Sequence, residues 1–270
     1  SATSLSLSLS LSLSLYLFMA ESPSLKVDEV CSISPPQETP PITLPFTLFD
    51  ILWLRFPPVE RLFFYSFPNP TTTTSFFDTT VVPNLKHSLS LTLRHFPPLA
   101  GTITWPHHSP LPLITYTPGN TIPFTIARSN ADFNTLSSNL SQVNHHRQNL
   151  IPHLTISHEE AFVIALQLTL FPDQGFSIGI TTHHAALDGN SSTLFLKSWA
   201  HICSQLTTSP EEPLSLPKHL TPSFDRSVIR DTSGIAEIYA NSWTNFGGAT
   251  NDRSLKVWDS LHGSQTDLVK

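Results

Sequence analysis

Charge is scarce in this chain. Lys, Arg, Asp and Glu make up 13% of its 270 residues, about half the ~25% usual in soluble domains. No basic run occurs, and 14 Lys and Arg against 20 Asp and Glu leave a net charge of −6. That excludes a nucleic-acid binder, which needs clustered cations to displace counterions. Glycine is sparse too, at 9 residues, so collagen-like chains and glycine linkers are excluded. The two cysteines, Cys31 and Cys203, stand far apart and outside any CxxC pattern. A reducing compartment is the simplest reading, although spacing alone leaves a Cys31–Cys203 pairing open. No run approaches the roughly 18 apolar residues of a membrane span. The densest, Ala161 to Phe171, is core-sized and interrupted by Gln167 and Thr169. P-loop and G-x-G-x-x-G strings are absent, which argues against nucleotide and hydride chemistry, and no G-x-S-x-G elbow marks a serine hydrolase.

What the chain does have is proline, 24 residues, and a hydrophobic share of 39%. Leu, Ile, Val and Phe are plentiful enough to build a real core at this length. Ser4 to Leu15 alternates Ser and Leu without a break, and Met19 is the only methionine. Alternation formally reads as a strand. A signal peptide lacks its positive start, because no Lys or Arg precedes Lys26. A repeated TCT-CTC in DNA would encode this stretch, so residues 1–18 are expected to be a disordered, translated leader ahead of a start at Met19. The absence of a leader after Met19 fits the cytoplasm.

Local patterns place the elements. Strands are expected at Val27–Ile33, Leu62–Phe67, Gly101–Trp105, Leu113–Thr117 and Pro123–Ala127. Leu85, Leu89, Leu93 and Phe96 have helical spacing, so a helix is expected over Val82–Phe96, with Pro83 at its first turn and Pro97-Pro98 ending it. Shorter helices are expected within Phe46–Leu54, begun near Asp50, and over Ala131–Leu140. Phe162–Leu170 and Phe176–Thr182 flank Pro172-Asp173-Gln174-Gly175 and make a hairpin. A helix follows to about Gln205, capped by Asn190 or Ser191. The Pro-rich 207–222 stretch reads as a linker, followed by a helix at Gly234–Asn241 and a strand at Leu255–Trp258. Strands and helices mix without strict βαβ alternation, which favours α+β.

The chemistry points to His184. It stands four residues before Asp188 and five before Gly189, between the second hairpin strand and the following helix. A rigid scaffold presents reactive side chains at such a place, and a neutral His beside a carboxylate is the usual general base. The spacing alone leaves other readings open. The chain has 13 histidines, paired also at His107-His108 and His145-His146, so a chance HxxxD is an ordinary event. His183, His184 and Asp188 could supply a partial metal set, but no further Cys or His cluster has metal-site spacing.

The string His183-His184-Ala185-Ala186-Leu187-Asp188-Gly189 resembles the HxxxDG motif of plant BAHD acyltransferases, which use acyl-CoA donors. Phe96-Pro97-Pro98-Leu99-Ala100-Gly101 is similar to the family's YPLAG segment. Leu44-Pro45-Phe46, Phe49-Asp50-Ile51-Leu52-Trp53-Leu54, Phe56 through Tyr65, Thr169-Leu170-Phe171-Pro172, Phe224-Asp225-Arg226 and Ile229-Arg230-Asp231 resemble the branch that malonylates anthocyanin and phenolic glucosides. The resemblance implies an α+β, chloramphenicol-acetyltransferase-like fold, with a mixed sheet flanked by helices. It implies an N-terminal acyltransferase domain over 19–206, a 207–222 linker, and a crossover with the truncated start of a second domain over 223–270. The family's DFGWG string is absent, so the second domain is expected to be largely missing. His184 takes the role of general base on an acceptor hydroxyl and Asp188 that of a structural partner to an arginine. Gly189 and His183 are structural at the motif. Malonyl-CoA is the implied co-substrate and a glycosylated phenolic the implied acceptor, with no bound cofactor or metal, no membrane, and a monomeric full-length protein. The competing expectation is a non-catalytic fragment that binds ligand or a partner only.

Overall fold

The computed structural model describes residues 24–68, 73–138, 147–208 and 215–258. The expected leader, residues 1–18, lies outside them, as do Leu140 and the 209–214 part of the expected linker. In chain order the strands are β1 (Leu25–Ile33), β2 (Ile42–Pro45), β3 (Val59–Ser66), β4 (Thr102–Thr104), β5 (Leu113–Tyr116), β6 (Ile122–Ser129), β7 (Glu160–Phe162), β8 (Ile164–Phe171) and β9 (Gly175–Thr182). The α-helices are α1 (Leu48–Ile51), α2 (Thr73–Phe76), α3 (Val82–Leu93), α4 (Phe133–Ser137), α5 (Gly189–Thr208) and α6 (Ile235–Thr244). Among the described residues the strands form a five-stranded sheet ordered β1-β6-β8-β9-β3 and a four-stranded sheet ordered β2-β5-β4-β7. The larger sheet is mixed: β6 and β8 run parallel, and the other neighbours antiparallel. The architecture is α+β.

β8 lies at the centre, and every one of its residues is buried. A strand covered on both faces reads as a continuous apolar run, which is why Ala161–Phe171 is so dense. Its two polar side chains are satisfied internally: Gln167 Nε2 donates to Asn149 O at 2.9 Å and to Thr169 Oγ1 at 3.1 Å. The hairpin partner β9 pairs with β8 from Ile164↔Thr182 to Phe171↔Gly175 without a register shift. Two glycines of β9 are needed for close approach, not for turn geometry. A Cβ on Gly179 would sit 2.1 Å from Leu150 O, and one on Gly175 would sit 2.3 Å from Tyr65 O. The left-handed residue of the turn is Asp173, at φ 61°. α3 and α5 pack together, joined where Trp199 Nε1 donates to Ser88 Oγ at 2.9 Å. Cys31 and Cys203 are both free thiols.

Several expectations need correcting. The helical run begins at Thr73, not Val82. Pro83 therefore lies inside it, and a π turn at Phe77–Val81 precedes the proline. Proline has no N–H for the carbonyl four residues back, and a wider turn is one way a helix accommodates that loss. α1 begins before Asp50: Thr47 is its cap, and Asp50 closes the capping box from the third position. α5 starts at Gly189, ahead of both expected caps. Leu255–Trp258 is not a strand. It is extended chain held by single bonds, Leu255 N to His158 O at 3.1 Å and Trp258 N to Arg55 O at 2.9 Å. Within the expected linker, Lys218–Leu220 forms a 3-10 turn, and Leu220 is buried with its carbonyl accepting from Ser198 Oγ at 2.9 Å. No helix among the described residues is long and apolar enough to cross a membrane.

Candidate functional site

β9 ends at Thr182, and the chain turns through His183–Asp188 into α5. The turn is held at both ends: His183 N donates to Val163 O at 2.8 Å, and Ala186 N to His183 O at 3.0 Å. His183 is buried, with only 1% of its surface exposed. Burial, with His184's charge adding to it, pushes its pKa down to about 4, so the ring is neutral. Its Nδ1 accepts from Ala185 N at 3.3 Å, while Nε2 has no partner among the described residues.

His184 has different surroundings. Its ring stacks on Trp53, with centroids 4.4 Å apart and planes within 9°. Phe56 meets it edge-on at 6.0 Å. Nδ1 of His184 is buried without a partner among the described residues. The side chain as a whole is only partly buried, so Nε2 is the nitrogen left to face a ligand. That nitrogen is the one a general base at this position would use.

Asp188 does different work. Its Oδ1 accepts from Ser191 N at 2.6 Å, and its carbonyl accepts from Ser192 N at 3.0 Å. It is thus the cap of α5. The Ser191 amide holds its carboxyl below the usual carboxylate range. The expected arginine partner is not found: Asp188 makes no ion pair with any arginine among the described residues. Gly189, the first residue of α5, is exposed, and a Cβ there would meet nothing within 4 Å. The motif's glycine is not required by local crowding.

Trp53 and Phe56 lie just beyond α1. They are 37% and 40% exposed, and they form the floor on which His184 rests. An aromatic series continues from Phe56 to Trp243 at 6.4 Å, Phe246 at 5.6 Å and Trp258 at 5.2 Å. Nothing in the local pattern of residues 243–258 announces this, because long-range folding assembles the series. A cleft of about 340 Å³ opens at the same end of the sheet, lined by Pro58, Glu60, His153, Thr181 and Lys256 among others. Among the described residues no group of His, Cys, Asp or Glu side chains is arranged to hold a metal.

Known proteins resemble this chain in sequence and fold. Residues 24–238 match the family model described as "Transferase family". The chain is 41% identical over 243 residues to phenolic glucoside malonyltransferase 1 of Arabidopsis thaliana, covering 87% of this chain and 50% of that protein. It is 39% identical over 239 residues to malonyl-CoA:anthocyanidin 5-O-glucoside-6''-O-malonyltransferase of the same plant, covering 88% of this chain and 50% of that protein. The fold resembles that of vinorine synthase, with a TM-score of 0.56 at 23% identity over 76% of this chain and 46% of that one. This is the α+β, chloramphenicol-acetyltransferase-like fold that the motifs implied. The chain spans about half the length of the curated relatives it matches.

Proposed function

The chain belongs to the BAHD transferase family, and from that premise we propose that it serves acyl transfer from an acyl-CoA to a hydroxyl group, with His184 as general base. The donor proposed is malonyl-CoA and the acceptor a hydroxyl of a phenolic or flavonoid glucoside. Relatives named for that chemistry, at about 40% identity, support this reading. The observation that carries it is the His184 ring, held at the end of the central hairpin with Nδ1 buried and one face on Trp53.

A sugar hydroxyl is a weak nucleophile near neutral pH, so a positioned base raises the rate. Nε2 of His184 takes the hydroxyl proton as the oxygen attacks the thioester carbonyl. The C–S bond then breaks, and the coenzyme A thiolate leaves and takes up a proton. Asp188 acts by holding the entry to α5, and His183 by packing as a neutral ring beneath the turn. In this reading 19–206 is the acyltransferase domain, 207–222 a linker and 223–270 the crossover.

The test is coenzyme A thiol release from malonyl-CoA with a phenolic glucoside, run beside acetyl-CoA. Acceptor-dependent release is expected, with malonyl-CoA preferred, and His184→Ala is expected to abolish it. Release at a near-normal rate in that variant would refute the assignment of the base. A second reading, in which the chain binds a phenolic ligand or a partner and turns nothing over, draws on the exposed aromatics Phe49, Trp53, Phe56, Phe246 and Trp258. Saturable binding without thiol release would favour it.

A further inference from the structure

Two motifs far apart in sequence meet in this fold. Asp50 of α1 accepts from Thr47 N at 2.7 Å and Thr47 Oγ1 at 2.8 Å, and the same oxygen accepts from Arg226 Nη1. Arg226 also donates to Pro45 O at 3.0 Å. The pair is mostly shielded, with side chains 23% and 20% exposed, so water screens it less than a surface pair. One residue further along, Trp243 Nε1 donates to Ile51 O at 2.8 Å. Arg55 is buried and donates to Ser254 O at 2.9 Å and to Asp252 Oδ2 at 2.9 Å. Residues 226–254 thus clamp the short stretch from Thr47 to Phe56 at its start, middle and end. Trp53 lies inside that stretch, with its indole flat against His184.

We infer that Trp53 is a positioning residue for His184, and that the Asp50–Arg226 pair is the brace that sets Trp53. This rests on the reading of His184 as the base. The imidazole has no hydrogen bond at Nδ1 among the described residues, so hydrogen bonding does not choose its ring angle. Stacking on Trp53, with the edge of Phe56 as a stop, chooses it instead. A base whose ring swings by about 1 Å can lose on the order of a hundredfold in rate. The acceptor-facing nitrogen is therefore aimed by an aromatic face, and that face is aimed by an ion pair made by Asp50 of α1.

The test reads the ring directly. In the full chain labelled with ¹³C-histidine, the His184 ring C–H signals are assigned by their loss in His184→Ala. The indole ring current is expected to place them upfield of the other histidines. Trp53→Leu should move them downfield, Trp53→Phe should keep most of the displacement, and Arg226→Gln should produce a partial move. His184 signals that lie with the other histidines, or do not respond to Trp53→Leu, would overturn the proposal. So would a Trp53→Phe chain that behaves like Trp53→Leu. If Trp53→Leu fails to fold by circular dichroism, Trp53→Phe and Arg226→Gln decide between the same outcomes. In the thiol-release assay, Trp53→Leu should lower kcat about tenfold or more, with rescue in Trp53→Phe. Loss of turnover in His184→Ala with no ring shift in Trp53→Leu would keep the base and reject the brace. The expected ring shifts with undiminished turnover in His184→Ala would keep the stack and reject the base.

Discussion

The β8–β9 hairpin and the Ile235–Trp258 segment both bear on His184, but different forces hold them. The hairpin is a ladder paired at every position from Ile164↔Thr182 to Phe171↔Gly175. All residues of β8 are buried, and its polar side chains bond internally. Stability there is spread over many contacts. The Ile235–Trp258 segment has one α-helix, a short 3-10 turn at Phe246–Gly248 and no ladder. It is attached through Trp243 to Ile51, through Arg55 to Asp252 and Ser254, and through single amides at Leu255 and Trp258. Its aromatic rings stay partly in water. The hairpin carries the backbone of His184, while the segment reaches the imidazole through the Thr47–Phe56 stretch, by way of Trp53 and Phe56. A ladder should fail all at once and a stitched segment one bond at a time.

The comparison can be broken most sharply at Gly179. A Cβ there meets Leu150 O at 2.1 Å, so Gly179→Ala must push the 150–152 backbone off the sheet. A loss of about 3 kcal/mol is expected from overpacking, read as a lower urea midpoint for the whole fold. The next largest effect is on pH dependence. His183 is buried and neutral, with a pKa near 4 against an ordinary value of 6.5. The unfolded chain binds that proton more readily, so this stability is complete above about pH 6.5 and is lost as pH falls toward 4. The full span is on the order of 3 kcal/mol. Denaturant titrations at stepped pH should show this slope, and His183→Gln should flatten it. Arg55→Met tests the other region. The Leu255 and Trp258 amides should exchange about tenfold faster, a local loss of about 1.4 kcal/mol, while β8 amides keep their protection. Equal loss in β8 would mean that the two regions are one cooperative unit. The smallest change is at Asp188. Its replacement by Ala should cost about 1 kcal/mol through the lost cap of α5. Because its carboxyl is held below the ordinary range, the difference from wild type is present at neutral pH and fades as pH falls below about 4.

The same division governs what could be read in advance. The β8–β9 hairpin was legible because a doubly buried strand must be apolar along its length and a turn must follow it. β1, β5 and β6 were legible as short strand-forming runs bounded by turn residues. Leu255–Trp258 was misread as a strand because its apolar pattern is real, but its partners are the isolated carbonyls of His158 and Arg55. The Thr73–Val81 start of the long helical run was missed because Pro83 imitates a helix start, while the π turn before it allows the chain to arrive already helical. At the site, His184 and Asp188 lie in one turn, but the expected arginine for Asp188 is not among its partners in the described residues. Ser191 N lies within reach three residues ahead, and the carboxylate uses it. Trp53 and Phe56 were not singled out, because an aromatic residue in a local pattern suggests core as readily as a site. Their exposure follows from where α1 docks, which no local pattern reports.

By itself, the sequence determined which segments pair locally, the α+β class, and the presence of a histidine at the end of the central hairpin. Hydrophobic period and turn chemistry act over a few residues, and those features need nothing more. Tertiary structure alone decided what surrounds the imidazole. The indole beneath His184 lies 131 positions away in the chain, since 184 − 53 = 131, and the arginine bracing its turn lies 176 positions from Asp50. Contacts of that span are chosen by the packing of whole elements, because loop closure grows costlier only slowly with length and leaves no periodic trace.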